Sequence, residues 1–503
     1  MTRSITFACA CYFLAVCVAS AQDPVAKSYG DKISAVELRE YLSILASDAM
    51  EGRETGKRGQ KMAAAFIRAH FEDLQLTKPV ANDYLQPLEV YKLTPGETYV
   101  KTSKATYVNF KDIAYYGTDN SNGEVSLPLT FIGNGSEADL SQLDVNGKAV
   151  LLLAQSPWLA GNKEVALARE KGARMVFVCN TQTQDEFDKL GHQIKLMTNK
   201  GGLSLTKPDV SEFRRPGLYV VSPLIVEDLI GVSLQKLKAA ADDPKKKSVK
   251  KIKPGSIKYK SSTEVKTINT ENVLGLVEGT DKKNEIVAVT AHYDHVGVKP
   301  FGTGDLIHNG ADDDGSGTVA VMEMAKVFAQ ARKEGHGPRR SMLFMLVTGE
   351  ESGLLGSEFY TEHPIYPLAN TVVDLNIDMI GRRDMKHQEG APYLYVIGAD
   401  KLSSTLNTIS ESTNNTYTKL DFDYTYNDEA HPERLYYRSD HWNFAKRNIP
   451  VIFYFDGIHE DYHRVTDEVE KIDFDLLAKR TQCVFYTAWE VANREERIRP
   501  DKN

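Results

Sequence analysis

Four apolar segments, each followed by acidic residues or histidines, constrain the fold of this chain more than any other feature. The first, EIVAVTA at residues 285–291, is followed by His292, Asp294 and His295 and then by the acidic loop GADDDGSG at residues 310–317. Its β-branched apolar run predicts a buried strand, and the apolar spacing after the loop predicts a helix. A glycine-bounded loop between a strand and a helix is where open α/β sheets bind ligands.

The acidic loop alone has two interpretations. Its consecutive carboxylates, Asp312, Asp313 and Asp314, fit a solvated turn. They also fit a cation site, because adjacent carboxylates repel one another in a dry pocket unless a cation is present. The loop by itself leaves both alternatives open.

Three further strand-like segments favour the cation site. Residues 341–353, 371–381 and 450–463 are apolar runs that deliver, in order, Glu350 and Glu351, Asp378, and His459 and His463. Chance placement would scatter such residues over both edges of a sheet. Their common position after strands therefore predicts one convergent site.

The motifs in these segments resemble those of the M28 family of dinuclear zinc exopeptidases. The matching pieces follow the order and spacing of the family over residues 265–475: AHYDHVG, GADDDGSG, GEESGLLGS, NIDMIG and DYHRVTDEVEKID. An N-terminal segment, ILASDAMEGRETG, is similar as well, and the resemblance alone places it near the site. The resemblance implies a three-layer α/β/α fold with a mixed central sheet.

The resemblance also implies the roles of the site residues. His292 and Asp378 would bind one zinc ion, Glu351 and His463 would bind the other, and Asp313 would bridge the two. Glu350 would be the general base, Asp294 would orient His292, and Tyr462 would face the oxyanion. These residue types suit the chemistry, since zinc accepts imidazole and carboxylate ligands and lowers the pKa of a bound water towards ~7. An acid next to a ligand, as Glu350 is next to Glu351, can then take up the proton.

The sequence HEDYH at residues 459–463 also matches the H-E-x-x-H signature of another class of zinc peptidase. That signature needs a helix, which brings both histidines to one face. Here the segment follows a strand and Asp456-Gly457, without helical periodicity. We therefore expect only His463 to bind metal and His459 to be a loop residue.

A second short motif, RSDH at residues 438–441, recurs in the family and implies a place at the rim of the substrate site. Arg438 can pair with a carboxylate or steady an oxyanion. Asp440 can receive the α-ammonium group of a substrate. A purely structural Arg–Asp pair is the alternative.

Residues 1–21 predict a signal peptide, because one early Arg precedes an apolar core and Ala19-Ser20-Ala21 fits a cleavage site. This favours a secreted or periplasmic protein. A lipoprotein is the alternative, although the residues before Cys17 make a poor lipidation site. The mature chain would retain Cys179 and Cys483, which we expect to be buried free thiols. No later stretch has the length of a membrane helix.

The chain of 503 residues exceeds the usual size of one domain. Between residues 106 and 260, short strands separated by turns provide none of the predicted ligands, and DVNGKAVLLL and ALAREKGARMVFV resemble the protease-associated (PA) domain. We predict a signal peptide (1–21), a catalytic domain in two parts (22–105 and 261–503) and a small β-rich, PA-like insert (106–260). The insert either shapes the active-site entrance or is a folded appendage.

These features together predict a secreted exopeptidase that holds two Zn²⁺ ions. The principal hypothesis is an aminopeptidase that removes N-terminal residues from peptides by attack of a zinc-bound hydroxide. A carboxypeptidase or dipeptidase of the same family, a glutaminyl cyclase with one zinc ion, and a non-catalytic receptor-like relative are the alternatives. The net charge of -8 and the absence of an aromatic-interleaved basic face argue against a nucleic-acid partner.

Overall fold

The computed structural model describes residues 22–117, 119–121, 123–154, 163–199, 202–210, 218–244 and 247–502. The predicted signal peptide, residues 1–21, lies outside the described residues. Strands and helices alternate along much of the chain and form two sheets with covering helices.

The strands, in chain order, are β1 (Leu85–Pro95), β2 (Tyr99–Lys101), β3 (Thr106–Val108), β4 (Ile113–Tyr116), β5 (Val125–Phe131), β6 (Ala149–Leu153), β7 (Met175–Cys179), β8 (Leu203–Ser204), β9 (Leu218–Val221), β10 (Gly255–Lys260), β11 (Thr263–Val277), β12 (Lys282–His292), β13 (Arg340–Val347), β14 (Thr371–Ile377), β15 (Tyr393–Ile397), β16 (Asp421–Asp423) and β17 (Val451–Phe455). The α-helices are α1 (Pro24–Gly30), α2 (Ala35–Leu45), α3 (Arg58–Asp73), α4 (Glu137–Leu140), α5 (Lys163–Glu170), α6 (Gln184–Asn199), α7 (Val226–Ile230), α8 (Leu234–Ala241), α9 (Gly317–Lys333), α10 (Leu355–Glu362), α11 (Ser404–Thr413), α12 (His441–Ala445) and α13 (Phe474–Asn493).

The larger sheet has nine strands in the order β16-β15-β17-β14-β12-β13-β11-β1-β8. Its centre is parallel, because β12 pairs in parallel with both β13 and β14, and β14 pairs in parallel with β17. Antiparallel pairs flank this centre, with β11 next to β13 and β15 next to β17. The strands predicted to carry the site are therefore neighbours that all end at one edge of the sheet.

Alternating side chains divide the core between the two faces of this sheet. Val287, Val289 and Ala291 of β12 pack into the core formed with helices α1, α2, α3, α9 and α13. Ile286 and Ala288 point to the opposite core, which includes residues of α10 and α12. Such alternation along a strand is what a sheet covered on both faces requires. The predicted three-layer α/β/α fold with a mixed central sheet is confirmed.

The smaller sheet has eight strands in the order β3-β2-β10-β5-β6-β7-β9-β4. Strands β5, β6, β7 and β9 pair in parallel, and helices α4 and α5 cover one face while α7 and α8 cover the other. The region is thus an α/β unit and not the mainly β module that the sequence predicts. The predicted start at residue 106 differs from the pairing, because β2 precedes it, and β8 pairs with β1 of the larger sheet, whereas the predicted end at residue 260 coincides with the end of β10. The likeness to the PA domain, and the division into domains, stay predictions.

Cys179 ends β7 and Cys483 lies in α13, and both are buried free thiols, as predicted. Within the part of the chain that the structure describes, none of the helices has the length and apolar character needed to cross a membrane.

Candidate active site

The five predicted metal ligands come together at the edge where the parallel strands of the larger sheet end. They are His292 at the end of β12, Asp313 in the acidic loop, Glu351 after β13, Asp378 after β14 and His463 after β17. Four of them are almost fully buried, whereas 39% of the His463 side chain is exposed. The site is therefore open to solvent on the side of the His463 loop.

Asp313 joins two groups of side chains, because its carboxylate oxygens face different histidines. Oδ1 lies 3.3 Å from His292 Nε2, which in turn is 3.6 Å from Asp378 Oδ1. Oδ2 lies 3.0 Å from His463 Nε2, which in turn is 3.0 Å from Glu351 Oε2. We call His292, Asp313 and Asp378 the first group, and Asp313, Glu351 and His463 the second group.

The negative charge of the site shifts the pKa values of its histidines. Burial by itself would lower the pKa of His292, but surrounding carboxylates, Glu350 foremost, raise it well above its usual value. Burial would also lower the pKa of His463, but Asp313 and Glu351 raise it to about 10. Each histidine is thus in an environment that favours positive charge.

The three acids of the acidic loop have different environments, although they are adjacent in the sequence. Asp314 is buried and accepts hydrogen bonds from the backbone N–H of His292 (3.1 Å) and of Gly317 (2.9 Å). Asp312 is buried as well and accepts one from Gly381 N (2.7 Å). Among the three, Asp313 alone has carboxylate oxygens that face the ligand histidines. The solvated-turn interpretation of the loop is therefore wrong.

The loop that carries His463 is fastened to the acidic loop at two places. Nε2 of His459 lies 3.1 Å from Asp312 Oδ2, and the Asp467 carboxylate accepts the backbone N–H of both Asp312 (3.0 Å) and Asp313 (3.1 Å). Residues 459–463 form turns and no helix, so the H-E-x-x-H geometry is absent from this described segment. His459 is a loop residue, as predicted, and it holds this loop against the other.

Glu350 lines a cleft beside both groups. The cleft is lined by Asp313, Glu350, Asp378, Met379, Leu435, Arg438, Phe453, Phe455, Ile458, Tyr462 and His463. Burial and the neighbouring carboxylates of Asp378 and Glu351 hold the pKa of Glu350 well above its usual range. A carboxyl group with a raised pKa in a cleft is suited to hold and release a proton.

Tyr462 and Arg438 reach the same cleft from opposite loops. The Tyr462 ring stacks on His463 with 4.0 Å between ring centroids, and burial raises the pKa of its hydroxyl. Arg438 is 42% exposed and its Nη1 lies 2.7 Å from Glu433 Oε2. Both side chains therefore line the cleft, and their predicted contacts with a substrate stay predictions.

The predicted contact between the Asp294 carboxylate and His292 is replaced by a backbone contact. Nδ1 of His292 lies 3.1 Å from the Asp294 carbonyl oxygen and 3.8 Å from the nearer carboxylate oxygen. β12 ends at His292, so Asp294 lies just beyond the strand. The Asp294 carboxylate accepts hydrogen bonds from Thr55 Oγ1 (2.6 Å) and Glu350 N (3.3 Å) instead. It therefore supports the turn that carries Glu350.

Asp440 does not lie at the substrate rim, and this prediction is wrong. Its side chain is completely buried and accepts a hydrogen bond from Ser357 Oγ. Burial raises the pKa of Asp440 to about 7. A substrate ammonium group would need access to solvent that this carboxyl lacks.

The neighbouring residue Ser439 contributes to the site, although the sequence analysis gave it no role. Its hydroxyl donates to Asp378 Oδ2 (2.6 Å) and accepts from Asn376 Nδ2 (2.8 Å). Asn376 Oδ1 in turn accepts from Thr290 Oγ1 (2.8 Å). This buried chain fixes the orientation of the Asp378 carboxylate. No sequence signal distinguished Ser439 from Asp440, since both lie in the same short motif.

The N-terminal ILASDAMEGRETG segment lies next to the site, as the resemblance implied, and contacts two of the segments that carry ligands. Arg53 is buried, and its guanidinium donates hydrogen bonds to the carbonyl oxygens of Tyr293 (2.8 Å), Asn309 (2.6 Å) and Gly310 (2.8 Å). The Arg53 side chain thereby connects the end of β12 to the start of the acidic loop. The bidentate fork of Arg is suited to several carbonyl acceptors at once.

His295 is a second residue that the sequence analysis left without a role. Its ring is buried, with Nδ1 2.7 Å from Glu351 Oε1 and 3.9 Å from Asp313 Oδ2. Burial and Asp313 would raise the pKa of Glu351, but contacts with His295 and His463 lower it to about 2. The signal in the sequence was its position three residues after His292, within the same motif.

Comparison with known proteins identifies the domain that contains this site. Residues 272–488 match the model of Peptidase family M28. The chain carries a peptidase family M28 domain. All five predicted ligands and Glu350 lie within the matched residues, as do Tyr462 and Arg438.

Curated relatives of this M28 domain are peptidases by name. Aminopeptidase YwaD of Bacillus subtilis (strain 168) is 28% identical over 253 residues, which cover 49% of this chain and 49% of that protein. A probable leucine aminopeptidase of Trichophyton verrucosum is 28% identical over 219 residues, covering 42% of this chain and 55% of that protein. The chain thus spans about half the length of the curated relatives it matches.

Two solved aminopeptidase structures share the fold of this chain. BSAP, a zinc aminopeptidase from Bacillus subtilis, superposes with a TM-score of 0.51 at 21% identity, covering 92% of this chain and 96% of that chain. An aminopeptidase from Aneurinibacillus sp. strain AM-1 gives a TM-score of 0.50 at 18% identity, covering 95% and 97%. At this identity the likeness concerns the fold, and it agrees with the three-layer architecture described above.

Proposed function

We propose that this protein is a zinc-dependent aminopeptidase, which hydrolyses the first peptide bond of peptides with a free N-terminus. The observation that carries the proposal is the arrangement around Asp313, whose two oxygens face separate ligand groups beside the buried Glu350. The peptidase names of the relatives support the reaction class, and their aminopeptidase names support the end of the substrate that is cleaved.

The residues present fit zinc. Two buried atoms of the site, His292 Nε2 and Asp313 Oδ2, have no hydrogen-bond partner in good alignment among the described residues. Unpartnered buried polar atoms are costly, and a bound cation would satisfy them. Imidazole nitrogens and carboxylate oxygens are the ligands that zinc takes in catalytic sites.

Two zinc ions, one in each group, fit the donor set better than one. The first group offers His292, Asp313 and Asp378, with ligand atoms within 4.8 Å of one another. The second offers Asp313, Glu351 and His463, with 3.0 Å between His463 Nε2 and each carboxylate. The shared Asp313 would bridge the ions. The three carboxylates would carry three negative charges and the two zinc ions four positive charges. The remaining positive charge would favour an anionic oxygen ligand in the cleft.

The zinc ions, when bound, would lower the pKa of a water molecule and polarise the scissile carbonyl group. Glu350 would accept a proton from the attacking water and pass it to the leaving amine, because it lies next to Glu351 and its pKa is raised by burial. Tyr462 and Arg438 line the cleft and would donate hydrogen bonds to the oxygen of the substrate carbonyl. The Asp294 carboxylate would keep the Glu350 turn in place through its contact with Glu350 N.

The substrate would be a peptide whose first side chain enters the apolar part of the cleft. Met379, Leu435, Phe453, Phe455 and Ile458 line that part. Apolar and aromatic walls with few polar groups are typical of pockets that bind uncharged side chains. We also propose that the protein is exported, from the signal-like residues 1–21. Mass spectrometry of the N-terminus of the protein recovered from the medium or periplasm would test this export.

The test of the function is mass spectrometry of peptide mixtures incubated with the purified mature protein. Matched peptides with free and acetylated N-termini, and peptides that begin with Gln, would be compared before and after removal of metal by a chelator. We expect stepwise shortening of the free-amine peptides alone, lost with the chelator and restored by zinc. The variant E350Q, loaded with zinc, is the matched inactive control.

Other outcomes would replace the proposal with a specific alternative. Shortening of acetylated peptides from the carboxyl end would indicate a carboxypeptidase, and cleavage confined to dipeptides would indicate a dipeptidase. Loss of ammonia from Gln peptides without cleavage would indicate a glutaminyl cyclase. A zinc-loaded protein that changes none of the peptides would contradict the enzymatic proposal and favour a binding module.

A further inference from the structure

His295 is a wholly buried imidazole that lies at the second group, and none of the roles proposed above uses it. Its Nδ1 is 2.7 Å from Glu351 Oε1 and 3.9 Å from Asp313 Oδ2. Among the described residues, neither ring nitrogen has a hydrogen-bond partner in good alignment. Burial of polar atoms without aligned partners costs free energy, so the position of this ring calls for a ligand or a task at the site.

The carboxylate of Glu351 lies between two imidazoles. Its Oε2 is 3.0 Å from His463 Nε2, and that nitrogen is also 3.0 Å from Asp313 Oδ2. Its Oε1 faces His295 instead. A carboxylate that binds a metal through one oxygen is oriented by whatever its other oxygen contacts. The two oxygens of Glu351 therefore have separate tasks.

The fold holds the His295 ring in a fixed place. Its backbone N–H donates to the carbonyl oxygen of Arg53 (3.1 Å), and Arg53 also donates to Gly310 O (2.8 Å). Gly310 has a φ of +57°, and a Cβ atom there would come within 2.5 Å of His295 Cδ2. The first glycine of the acidic loop thus leaves room for the ring, in addition to adopting a left-handed conformation. A ring packed in this way can orient its neighbour without a large loss of entropy.

We propose that His295 is a positioning residue for the second metal position. Its Nδ1–H would donate a hydrogen bond to Glu351 Oε1, which directs Glu351 Oε2 towards the point faced by His463 and Asp313. The proposal rests on the proposed function, since it requires that a metal ion binds to the second group. Partners of this kind typically change metal affinity by about 10–100-fold. In the first group, the Ser439 hydroxyl orients the Asp378 carboxylate in a similar way, by donating a hydrogen bond to it.

Direct ligation by His295 is the competing explanation. Ligand atoms of His295, Asp313 and Glu351 lie within 4.8 Å of one another, so the ring is near enough to reach an ion. The distances to the bridging residue favour the positioning role, because Asp313 Oδ2 is 3.0 Å from His463 but 3.9 Å from His295. The two roles predict different behaviour when the imidazole is replaced by an amide.

The experiment measures zinc stoichiometry and affinity in the wild-type protein, H295A and H295N by chelator competition. The visible spectrum of each protein loaded with Co²⁺ reports the ligands directly. The Asn amide can donate in place of Nδ1–H, but it is a poor ligand for zinc. We expect H295A to bind the second ion about 10–100-fold more weakly. H295N should retain most of the affinity and the wild-type Co²⁺ spectrum. H192N, at an exposed histidine of α6, is the matched control.

The other possible outcomes would contradict the positioning role of His295, and one of them would also contradict the proposed function. If H295A binds both ions as tightly as the wild type, His295 has no part in the metal centre, and the proposed function is unaffected. If H295N is as weak as H295A and its Co²⁺ spectrum is altered, His295 is a ligand and not a positioning residue. A wild-type protein that binds no zinc would overturn the proposed function and this proposal together. Should H295A fail to fold, H295L, which fills the space but has no donor, takes its place and should show the same loss of affinity.

Discussion

The imidazole of His459 lies 3.1 Å from the Asp312 carboxylate, and both side chains are buried. This contact joins the loop of His463 to the loop of Asp313, so the second group depends on it for its geometry. Burial by itself would lower the pKa of His459, but Asp312 raises it. Asp312 therefore favours the protonated form of His459, and removal of one partner from such a buried pair leaves the other without compensation.

We expect H459A to destabilise the protein substantially. Loss of one partner from a buried ion pair typically costs about 3–5 kcal/mol. The free energy of unfolding of the metal-free protein, measured by urea denaturation, should fall accordingly. H192A, at an exposed histidine, should leave it unchanged. Equal stability of the two variants would mean that the His459–Asp312 contact does not fasten the loops.

We expect E350Q to separate metal binding from turnover. Gln has the shape of Glu350 but cannot accept a proton, and Glu350 is not among the five proposed ligands. Turnover of a free-amine peptide should fall by about 10²-fold or more, as for other general bases. The zinc content of E350Q, measured by elemental mass spectrometry, should equal that of the wild type. Normal turnover by the variant would exclude Glu350 as the base.

The convergence of the site was predictable because its signals are local in the sequence. In the sequence, His292 ends one buried strand and Asp378 directly follows another. Because neighbouring parallel strands end at the same edge of a sheet, His292 and Asp378 could be placed together. The RSDH motif was not predictable in this way. Ser439 contacts Asp378 while Asp440 turns into the core, and which of two adjacent residues faces the site depends on packing against Ser357. Whether the carboxylate or the carbonyl oxygen of Asp294 is the nearer to His292 was likewise not predictable, since it depends on the side-chain contacts of Asp294 with Thr55 and Glu350.

The strand pairing of the smaller sheet could also not be predicted from the sequence. Short strands such as β2 and β8 contain three and two residues, too few for a periodic pattern. β2 pairs with the distant β10 as well as with the nearby β3, and β8 pairs with the distant β1. The choice of sheet therefore follows from tertiary pairing, which places β2 before the predicted limit at residue 106, whereas the limit at residue 260 agrees with the end of β10.

We expect D313A to lose both zinc ions, because Asp313 supplies an oxygen to each group. D378A, which removes a ligand from the first group alone, should lose one ion and retain the other. Zinc stoichiometry after gel filtration distinguishes these results, and circular dichroism confirms that each variant is folded. A D313A protein with two bound zinc ions would contradict the bridging role.

Glu323 should make the stability of the protein depend on pH away from the site. It lies in α9 with no exposed surface, and Lys326 Nζ is 3.3 Å away. Burial raises the pKa of Glu323 to about 8 in the folded protein, above the usual value of 4.5. Between these pH values the folded state keeps a proton that the unfolded state has released. Stability is therefore greatest below the lower value and falls as the pH rises, by about 1.4 kcal/mol per pH unit at most.

E323Q removes this titration, since the amide stays neutral at every pH. Urea denaturation at pH 5 and pH 8 should show a smaller loss of stability on raising the pH in E323Q than in the wild type. E40Q, at an exposed position of α2, controls for the loss of one acidic residue and should keep the wild-type dependence. The same decline in E323Q and the wild type would show that Glu323 is ionised in the folded protein across this range. The negative charge of Glu323 would then have to be balanced by Lys326, which also contacts Glu37.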